Sequence, residues 1–165
     1  MDAIEPWLRG TDQDVPAVVR AVLHALRLAD EDLQKWCGNL SDSELNDRPG
    51  RAELIAFHIR HIARSVDRLL SYAEGRTLSE EQMARLQTEL APGARRDELF
   101  GELAAALTTG IVRVRGLAKL NLEEARAVGK KQLPSTVGGL LVHIADHTQR
   151  HVGQAITTAK LLRAH

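Results

Sequence analysis

Apolar residues recur along this chain at steps of three and four, the period of helices that bury one face. Val15, Val18, Val22, Leu26, Ala29, Leu33 and Trp36 form one such seam and predict a long helix over 15–37, closed by Gly38. Asp14 is its expected N-cap, and Pro16 suits its first turn. LSDSELNDRPGR, 40–51, reads as a connector with room for one helical turn after Ser41. Ile55, Ile59, Ile62, Val66, Leu69 and Ala73 predict a second long helix over 52–74, stopped by Gly75. Ser79 and Gln82 have capping-box spacing and open a short helix to Leu90. After APGARR, 91–96, Asp97 is expected to cap a third long helix over 98–119. Its inward residues are Leu99, Leu103, Ala106, Leu107, Ile111, Val114 and Leu117 or Ala118. Gly110 falls inside that helix, a cost of ~1 kcal/mol relative to alanine that close packing would explain. Residues 120–135 read as a polar connection ended by Pro134. Ser135 or Thr136 then caps a last helix to Arg163, with Gly138 and Gly139 in its first turns. No stretch alternates as a strand does. The pattern predicts an all-α four-helix bundle with one short extra helix between the second and third long ones. A lead-in covers 1–14, and the bundle domain covers 15–165.

The polar positions narrow the picture further. Beside the seam of the second helix run Leu54, Phe57, His58, His61, Ser65, Arg68 and Tyr72, a half-polar stripe at the core margin. The last helix carries LLVHIADHTQRHVGQ, 140–154, with three of the seven histidines at His143, His147 and His151. Four residues turn a helix by about 40° and raise it about 6 Å, so these imidazoles form one stripe. Two neighbours in such a stripe can share an ion. Leu140, Ile144, His147, His151 and Ala155 lie within about 60° of one another. His147 and His151 therefore point inward, and His143 turns toward the margin.

H-x-x-x-H alone is a weak signal. A third imidazole from the second helix, His58 or His61, would complete a three-His site that keeps a coordination position open, as catalytic zinc sites do. No Asp or Glu is expected inward beside these histidines. Arg60 and Arg64 read as a solvated face paired with Asp67. Arg68 lies seven residues after His61, on nearly the same face, and is a candidate for holding an anionic substrate group. Ligand imidazoles donate their other N–H to a neighbour, so His58, His143, Ser65 and Gln154 are candidates for that supporting role. His24 lies off the first seam and is expected to be exposed.

Composition removes whole classes of function. Twenty-two basic residues cancel 22 acidic ones, so no net field recruits nucleic acid or an anionic membrane. At 165 residues the chain can build one core without staples. The single cysteine, Cys37, excludes an intrachain disulfide and a Cys-rich zinc site, and fits a reducing cytoplasm. It has no His or Asp beside it and reads as a structural thiol. Trp7 and Trp36 read as anchors of the bundle rather than stacking platforms. The opening MDAIEPWLRG is acidic and broken by Pro6, unlike a signal peptide. No apolar run is long enough for a membrane span.

HIADHTQRHVGQ in the last helix and FHIRHIARSVDRLLSYAEG in the second resemble the ligand segments of the DinB/YfiT-like superfamily of metal-binding four-helix proteins. The first looks like that family's H-x-x-x-H followed by Gly-Gln. The second is similar to its histidine before a small-residue turn, here His61-Ile62-Ala63. The similarity extends over about 15–163. It implies His61, His147 and His151 as ligands of a divalent ion, zinc or nickel, and a homodimer. Arg150 and Val152 stand where many members have histidine and arginine, departures that remove no ligand. Activities assigned in the superfamily include transfer to low-molecular-weight thiols, an isomerisation and hydrolase-like reactions. The resemblance thus implies a cytoplasmic metalloenzyme that activates such a thiol, or water, against a small electrophile. Substrate access is expected at the bundle end lined by the second and last helices, past Arg68 and Tyr72. The rival expectations are a non-catalytic metal-binding or stress-response protein and a metal-free helical interaction module.

Overall fold

The computed structural model describes residues 4–163. Four long helices, α1 (Ala17–Cys37), α3 (Ile55–Ala73), α5 (Arg96–Gly116) and α6 (Val137–Arg163), form a bundle. Two short ones, α2 (Asp42–Leu45) and α4 (Glu80–Gln87), lie in the connections before and after α3, each opened by a capping box, at Ser41 and Ser79. Both α5 and α6 pack against α1 and α3. Consecutive long helices α1 and α3 therefore stand diagonally across the bundle, and the chain that joins them crosses its end. His58 meets His151 and the Thr158 hydroxyl reaches the Glu53 carbonyl, so α3 and α6 run antiparallel. Arg64 reaches Glu102 and Arg113 reaches Glu74, so α3 and α5 run parallel. Among the described residues no helix is long and apolar enough to cross a membrane.

The apolar seams are buried as their period requires. Val22, Leu26, Ala29 and Leu33 of α1 meet Ile55, Ile59, Ile62 and Val66 of α3 in one core, with Leu99, Leu103, Leu107 and Val114 of α5 and Leu140, Ile144 and Ala155 of α6. Gly110 sits where three helices converge. A Cβ there would lie 3.0 Å from Val66 Cγ1 and within 4 Å of Leu26 and Leu70. Close packing is thus the reason for a glycine inside α5.

Several local expectations are corrected. Residues 120–135 hold a β-hairpin, β1 (Ala125–Val128) paired antiparallel with β2 (Leu133–Thr136), Ala127 opposite Pro134. Its strands are too short and too exposed to alternate visibly. The ribbon is fixed from outside, by Arg126 Nε donating to the Ala73 carbonyl at the end of α3 (2.7 Å). Pro16, not Asp14, occupies the N-cap of α1, and Asp14 pairs with Arg115. Asp97 lies in the first turn of α5, which starts after Arg95. Thr136 caps α6, accepting from the Gly139 N–H at 3.0 Å. A Cβ at Gly138 would sit 3.1 Å from the Leu122 carbonyl oxygen that its own N–H bonds, so the helix start abuts backbone there.

The lead-in is pinned to the bundle. Asp12, buried, is held by Arg27 and Arg115. His24 is buried rather than exposed: its Nε2 lies 3.2 Å from Thr11 Oγ1 and 3.3 Å from Asp12 Oδ2, because the lead-in covers that flank of α1. Trp7 is 61% exposed, its indole N–H donating to Glu5, whereas half-buried Trp36 lies under Lys160 Nζ at 4.5 Å. The Cys37 thiol is fully buried, and burial pushes it up to about 11, which suits packing and not nucleophilic chemistry.

Candidate metal centre

The antiparallel register of α3 and α6 sets His61 opposite His147 and His58 opposite His151. Ile59 and Ile62, buried in the core, place His58 and His61 at its margin. Leu140, Ile144 and Ala155 do the same for His147 and His151 on α6. One ring nitrogen from each of His61, His147 and His151 lies within 4.8 Å of the other two. His61 Nε2 and His147 Nε2 are 2.8 Å apart. The ring of His151 lies 4.4 Å from that of His61 and 4.6 Å from that of His147, centroid to centroid. All three side chains are half-buried. Among the described residues this is the one group of three His, Cys, Asp or Glu side chains with such convergence.

Burial disfavours an imidazolium here, and neighbouring imidazoles add repulsion. His147 is lowered to about 4 and His151 to about 3. Both rings are therefore neutral near pH 7 and keep a lone pair. His58, 3% exposed, is lowered to about 4 mainly by burial. Its Nδ1 lies 2.9 Å from Nδ1 of His151. Three imidazole nitrogens fit a borderline ion such as zinc or nickel and do not suit calcium or magnesium, which take oxygen ligands.

An acidic residue stands beside the cluster, contrary to the sequence expectation. Helix α4 ends at Gln87, and the turn after it carries Glu89 to the α3 flank, 5% exposed. Glu89 Oε2 lies 2.6 Å from His61 Nδ1, and its Oε1 accepts from Arg68 Nη1 at 2.6 Å. Burial raises the Glu89 carboxyl, but the hydrogen bonds from His61 and Arg68 outweigh it and leave the group below the usual range. Arg60 and Arg64 are not a solvated face. Arg60 Nη1 donates to the carbonyls of Thr88, Glu89 and Ala91, and Arg64 to the Arg85 carbonyl, Thr88 Oγ1 and Glu102. Asp67 is taken by Arg113 and Gln82 instead. The signal for Glu89 in the sequence is indirect: three arginines at i, i+4 and i+8 on one helix with a single neighbouring acid require acceptors from elsewhere.

The remaining candidates separate. Arg68 is buried, with its Nη1 donating to Glu89. The Ser65 hydroxyl donates to the Ile62 carbonyl within its own helix (3.2 Å). His143 is exposed, its ring stacked on that of His147 with centroids 5.3 Å apart. Tyr72 lines a cavity of about 400 Å³ against the hairpin, among Arg76, Met83 and Arg126. Gln154 lines an open groove of about 640 Å³ that reaches His58, between Arg51, Glu53, Arg150 and Thr157. A second groove, of about 390 Å³ between α3 and α5, contains none of the histidines.

Residues 25–155 match the sequence model of the DinB superfamily. A crystal structure of a conserved protein from Enterococcus faecalis shares the fold, with a TM-score of 0.73 at 19% identity over 90% of this chain and 98% of that one. No curated protein matches the chain.

Proposed function

The chain belongs to the DinB superfamily, and from that premise we propose that it is a metal-dependent enzyme whose His61, His147 and His151 hold a divalent ion, zinc or nickel. Its reaction is transfer to, or hydrolysis of, a small electrophile, with a low-molecular-weight thiol or water as the nucleophile. The observation that carries this reading is the convergence of three imidazole nitrogens from two helices within 4.8 Å. Three protein ligands leave further coordination positions open, the condition for a catalytic rather than a structural site. Such an ion supplies Lewis acidity, by which water or a thiol loses its proton near neutral pH.

The chain's own residues supply the rest. Imidazole ligands carry no charge of their own and would leave the charge of the ion undiminished. His58 backs His151 from the side away from the other rings. The open groove of Arg150 and Gln154 reaches His58, Arg68 is bound to Glu89, and Tyr72 lines a separate cavity.

The test uses metal-stripped protein reloaded with zinc or nickel. About one equivalent of bound metal is expected, and less than about a tenth would sink the site. Loaded protein is then screened with glutathione, mycothiol and bacillithiol against electrophiles, and for ester and amide hydrolysis. Turnover above the metal-free control in one class is expected; none in any class would leave a metal-binding protein without this activity.

A further inference from the structure

Glu89 belongs to no expected ligand set, yet both its oxygens are committed at 2.6 Å, one to His61 and one to Arg68. A carboxylate only accepts hydrogen bonds. His61 therefore donates from Nδ1, and Nε2, the nitrogen that faces His147, is the one left for an ion. A glutamate in a turn has three free torsions and would hold such a geometry poorly by itself. Here the turn is fastened from below: Arg60 gathers three of its carbonyls, and Arg64 two further acceptors on the same segment, the Arg85 carbonyl and Thr88 Oγ1.

We propose that Glu89 is a positioning residue of the metal centre, which sets the tautomer and rotation of His61 while Arg68 fixes the carboxylate in one orientation. The inference rests on the metal-site reading above. It assigns a function to a surface segment, 85–91, that contributes no ligand. Arg68 also offsets the charge of Glu89, so the carboxylate orients His61 without neutralising the ion. Of the three ligand histidines, His61 is the one with a carboxylate at its second nitrogen; His151 has the neutral ring of His58 in that place. Carboxylate partners of this kind change metal affinity by about 10- to 100-fold when removed.

The experiment compares the full chain with Glu89→Ala, Glu89→Gln and Arg60→Ala. Zinc affinity is measured by competition with a chromophoric chelator. The His61 tautomer is read from imidazole ¹⁵N shifts of metal-free protein, which report where the proton sits on the ring. Glu89→Ala is expected to weaken zinc by about 10- to 100-fold and to abolish the fixed Nδ1–H tautomer. Glu89→Gln, which preserves shape, is expected at the lower end of that range. Arg60→Ala frees the carbonyls of the turn but keeps the carboxylate and its pair with Arg68, and is expected to weaken zinc by less than Glu89→Ala does. Zinc binding within about threefold in both Glu89 variants, with the tautomer unchanged, overturns the proposal. So does an Arg60→Ala loss that adds in full to that of Glu89→Ala in the double variant, because the turn then acts independently of Glu89. Should Glu89→Ala fail to fold, Glu89→Gln decides. If the parent binds no zinc, the metal reading fails, and the tautomer measurement still decides whether Glu89 sets His61.

Discussion

Replacing His147 by alanine removes one of three nitrogens that lie within 4.8 Å of one another and leaves two. An ion that binds only the folded chain stabilises it by RT ln(1 + [L]/Kd), about 2.7 kcal/mol at a free concentration of about 100 Kd. For 165 residues, an unfolding entropy of about 2.1 cal/mol/K per residue gives about 0.35 kcal/mol/K. Zinc at that concentration should therefore raise Tm by about 8 °C. If the substitution weakens binding about 100-fold, the same zinc equals one Kd, and the increment falls to about 0.4 kcal/mol, or about 1 °C. The metal-free form should tolerate the change, since the half-buried ring is neutral at pH 7 and crowds three other imidazoles. His24→Ala is the control. It removes a buried side chain in contact with Thr11 and Asp12, so Tm drops with and without metal. Its zinc increment must stay near 8 °C. The assay is scanning calorimetry of metal-free and zinc-loaded protein. A full increment in His147→Ala, or its loss in His24→Ala, would refute the assignment.

Further outcomes follow from the packing and the buried charges. Gly110→Ala gains about 1 kcal/mol of helix propensity but drives a methyl against fully buried Val66, whose branched side chain yields little; a net loss of about 1 kcal/mol is expected in denaturant unfolding. Gly101→Ala, on the same helix with nothing within 4 Å, should instead stabilise by about 0.5–1 kcal/mol, and equal gains at both sites would contradict the convergence at Gly110. The Asp12 carboxyl is held down at about 2, chiefly by its hydrogen bond from Arg27, so the unfolded chain binds the extra proton first as pH falls. Its contribution is complete above the unfolded pKa near 3.8 and is lost as pH approaches 2. Asp12→Asn should cost about 1 kcal/mol at pH 7, after screening at the partly exposed arginines, and almost nothing at pH 2; a gap that does not close on acidification would refute this. The Cys37 thiol should resist a disulfide reagent in native buffer and react on unfolding, so rapid native labelling would contradict its burial.

The features legible in the sequence are those whose cause is local. The seams of α1, α3 and α5 follow from the 3.6-residue period, and the capping box at Ser79 from spacing alone. The inward facing of His147 and His151 is equally local, because each shares a helix with Leu140 and Ile144 and inherits their direction. Choosing His61 over His58 is not local. On the helical wheel both face the margin, and only the antiparallel register of α3 against α6 sets His61 beside His147 and leaves His58 behind His151.

Glu89, the buried His24 and the hairpin share one physical reason for being missed. Each is placed by a partner far along the chain: Glu89 by Arg60 and Arg68, His24 by the lead-in at Thr11 and Asp12, β1 by Arg126 reaching the end of α3. Ion pairs and side-chain-to-backbone hydrogen bonds leave no periodic trace, because any exposed-looking polar residue can make them once the fold brings an acceptor near. The sequence alone therefore determined a helical bundle and an inward pair of imidazoles on its last helix. Tertiary structure brought His61, already implied by the family resemblance, into register with that pair, and decided that a carboxylate from a distant turn, invisible to any helical period, stands behind it.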